Sequence, residues 1–278
     1  MAKLKQPLIK SDDFDALKEK ARQHRVNIVK MTHEAQSGHP GGSLSAIDIL
    51  TALYYTRLNL DPDKPKWEDR DRFVYSKGHA CPALYSILAD LGYFKEKELW
   101  KFRTFGALLQ GHSTIKIPGI DMSSGSLGMG LSYANGIALA RDLDEKDYRV
   151  YAFLGDGELE EGEIWESAMT SATFNLDITC IIDANQIQND DFVKETKEIE
   201  PLTEKWQSFG WKVKEIDGHN FEEIINALNW ADKEKSPTVI IARTKKGKGI
   251  SFMELNPKFH GMAPNDEEFE KAMKELKK

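Results

Sequence analysis

Cysteine is scarce. Cys81 and Cys180 are the only two among 278 residues. Two thiols cannot build a disulfide framework, so this usage points to a reducing cytoplasm. Long apolar runs are missing as well. Nothing approaches the roughly 18 residues of a membrane span. The opening MAKLKQPLIK lacks the apolar stretch of a signal peptide. Positive charge is in deficit, with 38 Lys and Arg against 45 Asp and Glu and a net charge of −7. That balance argues against a general nucleic-acid binder. There is no internal repeat and no low-complexity segment. What remains is 40% hydrophobic and 30% charged, which excludes disorder, collagen and coiled coil. The length suits one large α/β domain or two small ones.

Periodicity organises the chain. Residues 11–36 read as a helix, with Ser11, Asp12 and Asp13 as its start signal. SGHPGGS (37–43) breaks the pattern, and 44–55 resumes it as a more buried helix. DPDKPKWEDRDR (61–72) reads as a polar surface loop. The strand FVYS (73–76) and a helix over 82–92 follow. From SGSLGMG (124–130) onward the pattern is regular. Strands are expected at 148–154, 178–183, 211–217 and 238–245, and helices at about 130–143, 160–173, 201–210, 221–233 and 266–277. This alternation predicts an α/β fold, a parallel sheet with helices on both faces. Such sheets bind ligands beyond the carboxyl ends of their strands. Lys77 to His79, Gly155 to Gly157, Asp183 to Ile187, Gly218 with His219, and Lys245 to Gly249 all fall at such ends.

The sharpest feature is a strand ending in Gly155-Asp156-Gly157 and passing into a helix, with Asn185 after the next strand. Twenty-seven residues separate Gly157 from Asn185. Glycines let backbone approach a phosphate, and a helix start offers N–H donors. Asp156, the Asn185 amide and the Ile187 carbonyl are hard oxygen donors of the kind Mg²⁺ takes alongside phosphates. The bland alternative is a tight turn and an Asx-turn. Four of the seven histidines, His39, His79, His112 and His260, lie next to glycine, which suits loops that expose an imidazole in a confined space. Their spacing is not that of a zinc site. His24 and His33 fall within the first helix as surface or half-buried residues. His219 reads as structural.

GDG followed after 27 residues by Asn resembles the thiamin diphosphate signature. LGDGELEEGEIWESAM with IIDANQIQ resembles transketolase. The resemblance extends through SGHPGGSLSAIDILTALYY, RFVYSKGHACPALYSILAD, GHS (111–113), SGSLGMGLSYANGIALA, PLTEKWQSFGWKVKEIDGHN, RTKKGKGISFME and FHGMAPN. It implies one thiamin diphosphate-binding domain over 1–278, with an N-terminal helical extension and a C-terminal helix. The implied cofactors are thiamin diphosphate and Mg²⁺, or Ca²⁺ or Mn²⁺ in its place. The metal would be held by Asp156, Asn185 and Ile187. The cofactor would contact His79, Gly125, Leu127, Gly155, Asp156, Gly157, Glu158, Asn185, Lys245 and His260. His39, His79, His112 and His260 would line the channel where the substrate reacts. A lysine of the KKGKG turn, Lys245, would close the site. Glu161 and Glu166 match glutamates that link active sites across a dimer interface.

In transketolases a second domain carries the glutamate that activates the aminopyrimidine, and a third domain follows. No such segment is present within these 278 residues. The resemblance therefore implies the N-terminal subunit of a split transketolase, completed by a C-terminal subunit in an α2β2 assembly. It would transfer a two-carbon ketol unit between sugar phosphates in the pentose phosphate pathway. The alternatives are a subunit of another thiamin diphosphate enzyme (deoxyxylulose-phosphate synthase-like, or a 2-oxoacid dehydrogenase decarboxylating component) and a non-catalytic cofactor-binding partner protein.

Overall fold

The structure, a computed structural model, describes residues 7–189 and 191–277. The first helix, α1 (Phe14–Glu34), starts where the Asp13 carboxylate accepts from the Ala16 N–H at 3.1 Å. The second, α2 (Pro40–Thr56), is buried along its whole length. Strand β1 (Arg72–Tyr75) leads through a single 3-10 turn into α3 (Cys81–Asp90). Then come α4 (Met129–Leu143), β2 (Val150–Gly155), α5 (Gly162–Thr173) and β3 (Thr179–Ala184). The short α6 (Val193–Thr196) and α7 (Leu202–Ser208) precede β4 (Lys212–Asp217), α8 (Phe221–Ala231) and β5 (Thr238–Arg243). The last helix, α9 (Asp266–Leu276), opens on a capping box between Asn265 and Glu268.

The strands form one five-stranded sheet in the order β1-β2-β3-β5-β4, and every neighbouring pair is parallel. Successive strand side chains point to opposite faces, so the sheet divides two cores. Tyr151, Phe153, Ile181 and Ile240 pack with α1, α2, α3, α8 and α9. Ala152, Leu154, Cys180, Ile182, Val239 and Ile241 pack with α4, α5 and α7. Central strands β2 and β3 are buried at every position, whereas β4 is the exposed edge. The expected parallel sheet with helices on both faces is the one observed. All five strands run the same way, so their carboxyl ends lie along one rim.

Three local expectations differ. The break at 37–43 is shorter than its glycines suggest, because Pro40 begins α2 and Gly41 and Gly42 lie in its first turn. A Cβ at Gly41 would stand 2.7 Å from the Phe259 carbonyl oxygen, so this glycine permits close packing rather than a turn. The polar loop 61–72 has a buried end, where Asp71 accepts from the Asn59 and Arg149 N–H groups at 2.7 and 2.8 Å. His24 is not a surface residue but is 1% exposed. Its Nδ1 pairs with Ser86 Oγ at 2.8 Å and its Nε2 with the Tyr55 hydroxyl at 3.0 Å. His33 is half-buried, stacked 4.1 Å from the Phe269 ring.

Burial pushes the His24 pKa down to about 3. The unfolded chain takes up this proton near pH 6.5 and the folded chain does not. Stability contributed by the neutral ring is therefore present at pH 7 and lost as pH falls through 6.5. Between pH 7 and pH 5 the loss is about 2 kcal/mol. His24→Gln should flatten the pH dependence of the urea midpoint by that amount. An unchanged slope would contradict the assignment.

Candidate active site

The carboxyl ends of β1, β2, β3 and β5 meet around a cavity of about 200 Å³. Strand β2 delivers Asp156, which is 4% exposed. Its Oδ1 accepts from the Gly157 N–H at 2.9 Å and its Oδ2 from the Gln186 N–H at 2.6 Å. Gln186 follows β3 with φ +75, a left-handed conformation uncommon outside glycine. That turn lets Asn185 and Ile187 line the same cavity as Asp156.

Asn185 is aimed by Asp183. The Asn185 Nδ2 donates to Asp183 at 3.1 Å, so its Oδ1 faces the other way. Asp183, fully buried, also accepts from the Ser45 hydroxyl at 2.6 Å, from the Thr244 hydroxyl and from the Lys77 ammonium. Burial alone would raise the Asp183 carboxyl; Lys77 and these donors overcome it and hold the carboxyl below its usual range. Four partners on one carboxylate make a rigid support under the cavity floor.

The structure brings three of the four glycine-flanked histidines together. The His39, His79 and His260 rings lie 5.2 to 5.4 Å apart, centre to centre. His112 stands at the exposed rim, 6.4 Å from His39. Burial, then the charge of Arg103, pushes His39 down to about 4. Burial, then Lys246, pushes His260 down to about 3. Burial and Lys77 push His79 well below the ordinary imidazole value, and His112 is lowered by burial and Arg103. These rings are neutral at pH 7, and each offers one N–H donor and one acceptor nitrogen. His39 Nδ1 is buried without a partner among the described residues.

Gly125, Leu127, Gly155, Gly157 and Glu158 also line the cavity. A Cβ at Gly157 would stand 2.8 Å from Gln188, and one at Gly155 would meet the Lys77 side chain at 3.5 Å. Gly157 is thus a point of close approach, whereas the contact at Gly155 is an ordinary one. Glu158 is turned inward, where its carboxylate accepts from the Gly128 N–H at 2.9 Å, the Gly155 N–H at 3.1 Å and the Ser76 hydroxyl. It holds the Gly128 and Gly155 loops from the buried side.

The lysine expectation needs correction. Lys245 is exposed and lies outside the cavity lining, and its N–H donates to His219 Nε2 at 2.9 Å. Lys246 is the residue inside. Its Nζ donates to the Ile187 carbonyl at 2.5 Å and to His260 Nδ1 at 2.7 Å. Thr244 must face Asp183, which orients the turn, and a run of like charges in the sequence cannot report that orientation. The sequence places Lys77 at a strand end beside Gly78-His79 but assigns it no role. His219 is structural as expected, with Nδ1 on Asp48 at 2.8 Å.

The residues present fit an anionic diphosphate with a divalent cation. Two buried lysines, of which Lys246 has its pKa pushed down to about 7 by burial, a carboxylate, an amide oxygen and a carbonyl converge, with glycine backbone between them. Among the described residues no three His, Cys, Asp or Glu side chains form a metal cage. The donor set here is instead the sparse one that Mg²⁺ shares with phosphates.

Comparison with known proteins gives this geometry its family. Residues 17–277 match the family described as transketolase, thiamine diphosphate binding domain. The chain belongs to that family. It is 40% identical, over 94% of both chains, to one of the subunits of the apulose-4-phosphate transketolase of Phocaeicola vulgatus. It is 42% identical to a 6-deoxy-6-sulfo-D-fructose transketolase subunit of a Clostridium species, over 92% of this chain and 96% of that one. Human transketolase is 37% identical over 89% of this chain, which spans only 40% of the human protein. The crystal structure of Campylobacter jejuni transketolase superposes with TM-score 0.89 at 34% identity, over 95% of this chain and 43% of that one.

Placement separates the two transketolase-motif lysines. Lys246→Met should weaken thiamine diphosphate binding about 10- to 100-fold, as loss of a supporting contact at a metal–phosphate site does. Lys245→Met should bind within about twofold of the parent, since surface changes rarely matter more. Isothermal titration of both variants, each with its C-terminal partner, makes the comparison. Equal losses would refute the assignment.

Proposed function

We propose that this chain is the diphosphate-binding subunit of a two-chain transketolase. With a C-terminal subunit it would transfer a two-carbon ketol unit from a ketose phosphate to an aldose phosphate. The observation that carries the reading is one cavity in which three neutral imidazoles face the Asp156, Asn185 and Ile187 donors. Length agrees. The chain spans over nine-tenths of relatives named as subunits and about two-fifths of single-chain transketolases.

In this reading Asp156, the Asn185 Oδ1 and the Ile187 carbonyl hold Mg²⁺, and Lys77 and Lys246 neutralise the diphosphate. Gly125 and Leu127 meet the ring system. Bound thiamine diphosphate supplies the nucleophilic carbon and the electron sink. This chain's residues orient and exclude water. Lys246 donates to His260 Nδ1, so the proton of neutral His260 sits on Nε2. His260, His79 and the unpaired Nδ1 of His39 are then the ring nitrogens available to substrate oxygen and hydroxyl groups. Neutral rings hydrogen-bond a developing oxyanion without adding further positive charge beside the two lysines.

The assembly proposed is α2β2. Exposed Leu127, Met129, Tyr133 and Met169 lie on or beside α4 and α5, next to exposed Glu161 and Glu166, and suit a contact between subunits. No helix among the described residues is long and apolar enough to cross a membrane, and the cytoplasm is the proposed compartment. Xylulose 5-phosphate and ribose 5-phosphate are the first pair to test. The names of the relatives argue for including apulose 4-phosphate and 6-deoxy-6-sulfofructose as donors. The chain, its C-terminal partner, Mg²⁺ and thiamine diphosphate should together shorten one of these donors by two carbons and lengthen the aldose phosphate acceptor by two. Pyruvate consumption instead would favour another thiamine diphosphate enzyme. Absence of both would leave the non-catalytic reading.

A further inference from the structure

Arg103 has no part in the reading above, and its surroundings are unusual. Its backbone is left-handed, at φ +61, a strained conformation for a long side chain. Its Nη1 donates to Ser37 Oγ at 2.6 Å, two residues before His39. Its guanidinium sits close against Gly111, the residue before His112. A Cβ at Gly111 would stand 2.6 Å from both Nε and Nη2. The other side of that segment is held by α3, where Tyr85 donates to the Gln110 and His112 carbonyls at 2.9 and 3.1 Å. The Arg103 Nε is buried without a partner among the described residues, a cost usually borne where a group is needed in place.

We propose that Arg103 is a positioning residue for ketol transfer: it staples the segment carrying His39 to the segment carrying His112 and sets the spacing of the two imidazoles across the cavity mouth. This rests on the transketolase reading, in which those rings meet the substrate. A planar fork does what a lysine cannot, because its Nε/Nη2 side lies against Gly111 while Nη1 bonds Ser37. The same guanidinium is the foremost charge acting on both rings, and the other groups facing His39 are His112, His79, His260 and Lys246.

The test uses Arg103→Met, Arg103→Lys and Gly111→Ala, the last leaving the arginine intact but displacing its guanidinium. Steady-state ketol transfer is measured with the C-terminal partner present. The titration of the His112 ring is followed by NMR in the full chain. Arg103→Met and Gly111→Ala should each lower kcat about 10- to 100-fold, the usual effect of ångström-scale misplacement, and move KM for the sugars less. Their combination should be no worse than Arg103→Met. The His112 titration should rise toward the ordinary imidazole value in Arg103→Met and return in Arg103→Lys, while kcat stays low in Arg103→Lys. A kcat within about twofold of the parent in Arg103→Met, an unmoved His112 titration, or additive losses in the double variant would overturn the staple. If the parent complex shows no ketol transfer while Arg103→Met still shifts His112, the functional reading fails and the staple between the two segments stands.

Discussion

Asp156→Ala should reduce Mg²⁺-dependent thiamine diphosphate affinity by more than about 100-fold. Groups that merely support a metal ligand are worth about 10- to 100-fold, and Asp156 is the only carboxylate in the proposed donor set. Replacement also frees the Gly157 and Gln186 N–H groups that it now satisfies. The arrangement of Asn185 and Ile187 depends on the Gln186 bond, so the remaining donors lose their register as well. Asp156→Asn keeps one oxygen and should lose less. Titration calorimetry with and without a chelator reads the effect. Affinity that is unchanged in Asp156→Ala, or that does not depend on Mg²⁺ in the parent, would remove Asp156 from the metal site.

The second large effect concerns stability. Lys77 is 2% exposed and pairs with Asp183, which is 0% exposed. Removing one partner of a buried pair leaves an uncompensated charge and costs about 3–5 kcal/mol. Lys77→Met should therefore lower the urea midpoint sharply, more than any substitution at the exposed positions of the KKGKG turn. Adding Asp183→Asn should recover most of the loss, because asparagine can still bond Ser45, Thr244 and Asn185 without carrying charge. The sign of the pH response follows from Asp183, whose carboxyl is held low in the fold. Its contribution is present above about pH 4, the unfolded value, and is lost as pH falls through the folded value. A loss below about 1 kcal/mol in Lys77→Met, the range of exposed pairs, would show that the pair is not the support described.

Much of this architecture is legible in the order of residues. Continuous apolar runs such as TCIIDA and TVIIAR mark strands buried on both faces, and their alternation with helices leaves a parallel sheet as the simplest arrangement. The GDG turn, Asn185 and the four glycine-flanked histidines are legible for a similar reason. Small residues beside a functional group are local features, and local features survive in one dimension. The helix boundary at 40–42 is not legible, because glycine there serves packing against Phe259, a contact from the far end of the chain.

Residue types, spacing and the family resemblance were enough to give the fold class and the family, and they pointed to Asp156, Asn185, Ile187, His39, His79 and His260, which the fold gathers at one cavity. The choice of Lys246 over Lys245, the burial of His24, the Lys77–Asp183 support and the contact of Arg103 with Gly111 belong to the folded molecule alone. Each depends on which way a side chain points once its strand end or turn is clamped by a partner far along the chain. Periodicity reports faces within one element, and it is silent where an element ends. Those ends are where this sheet gathers its chemistry.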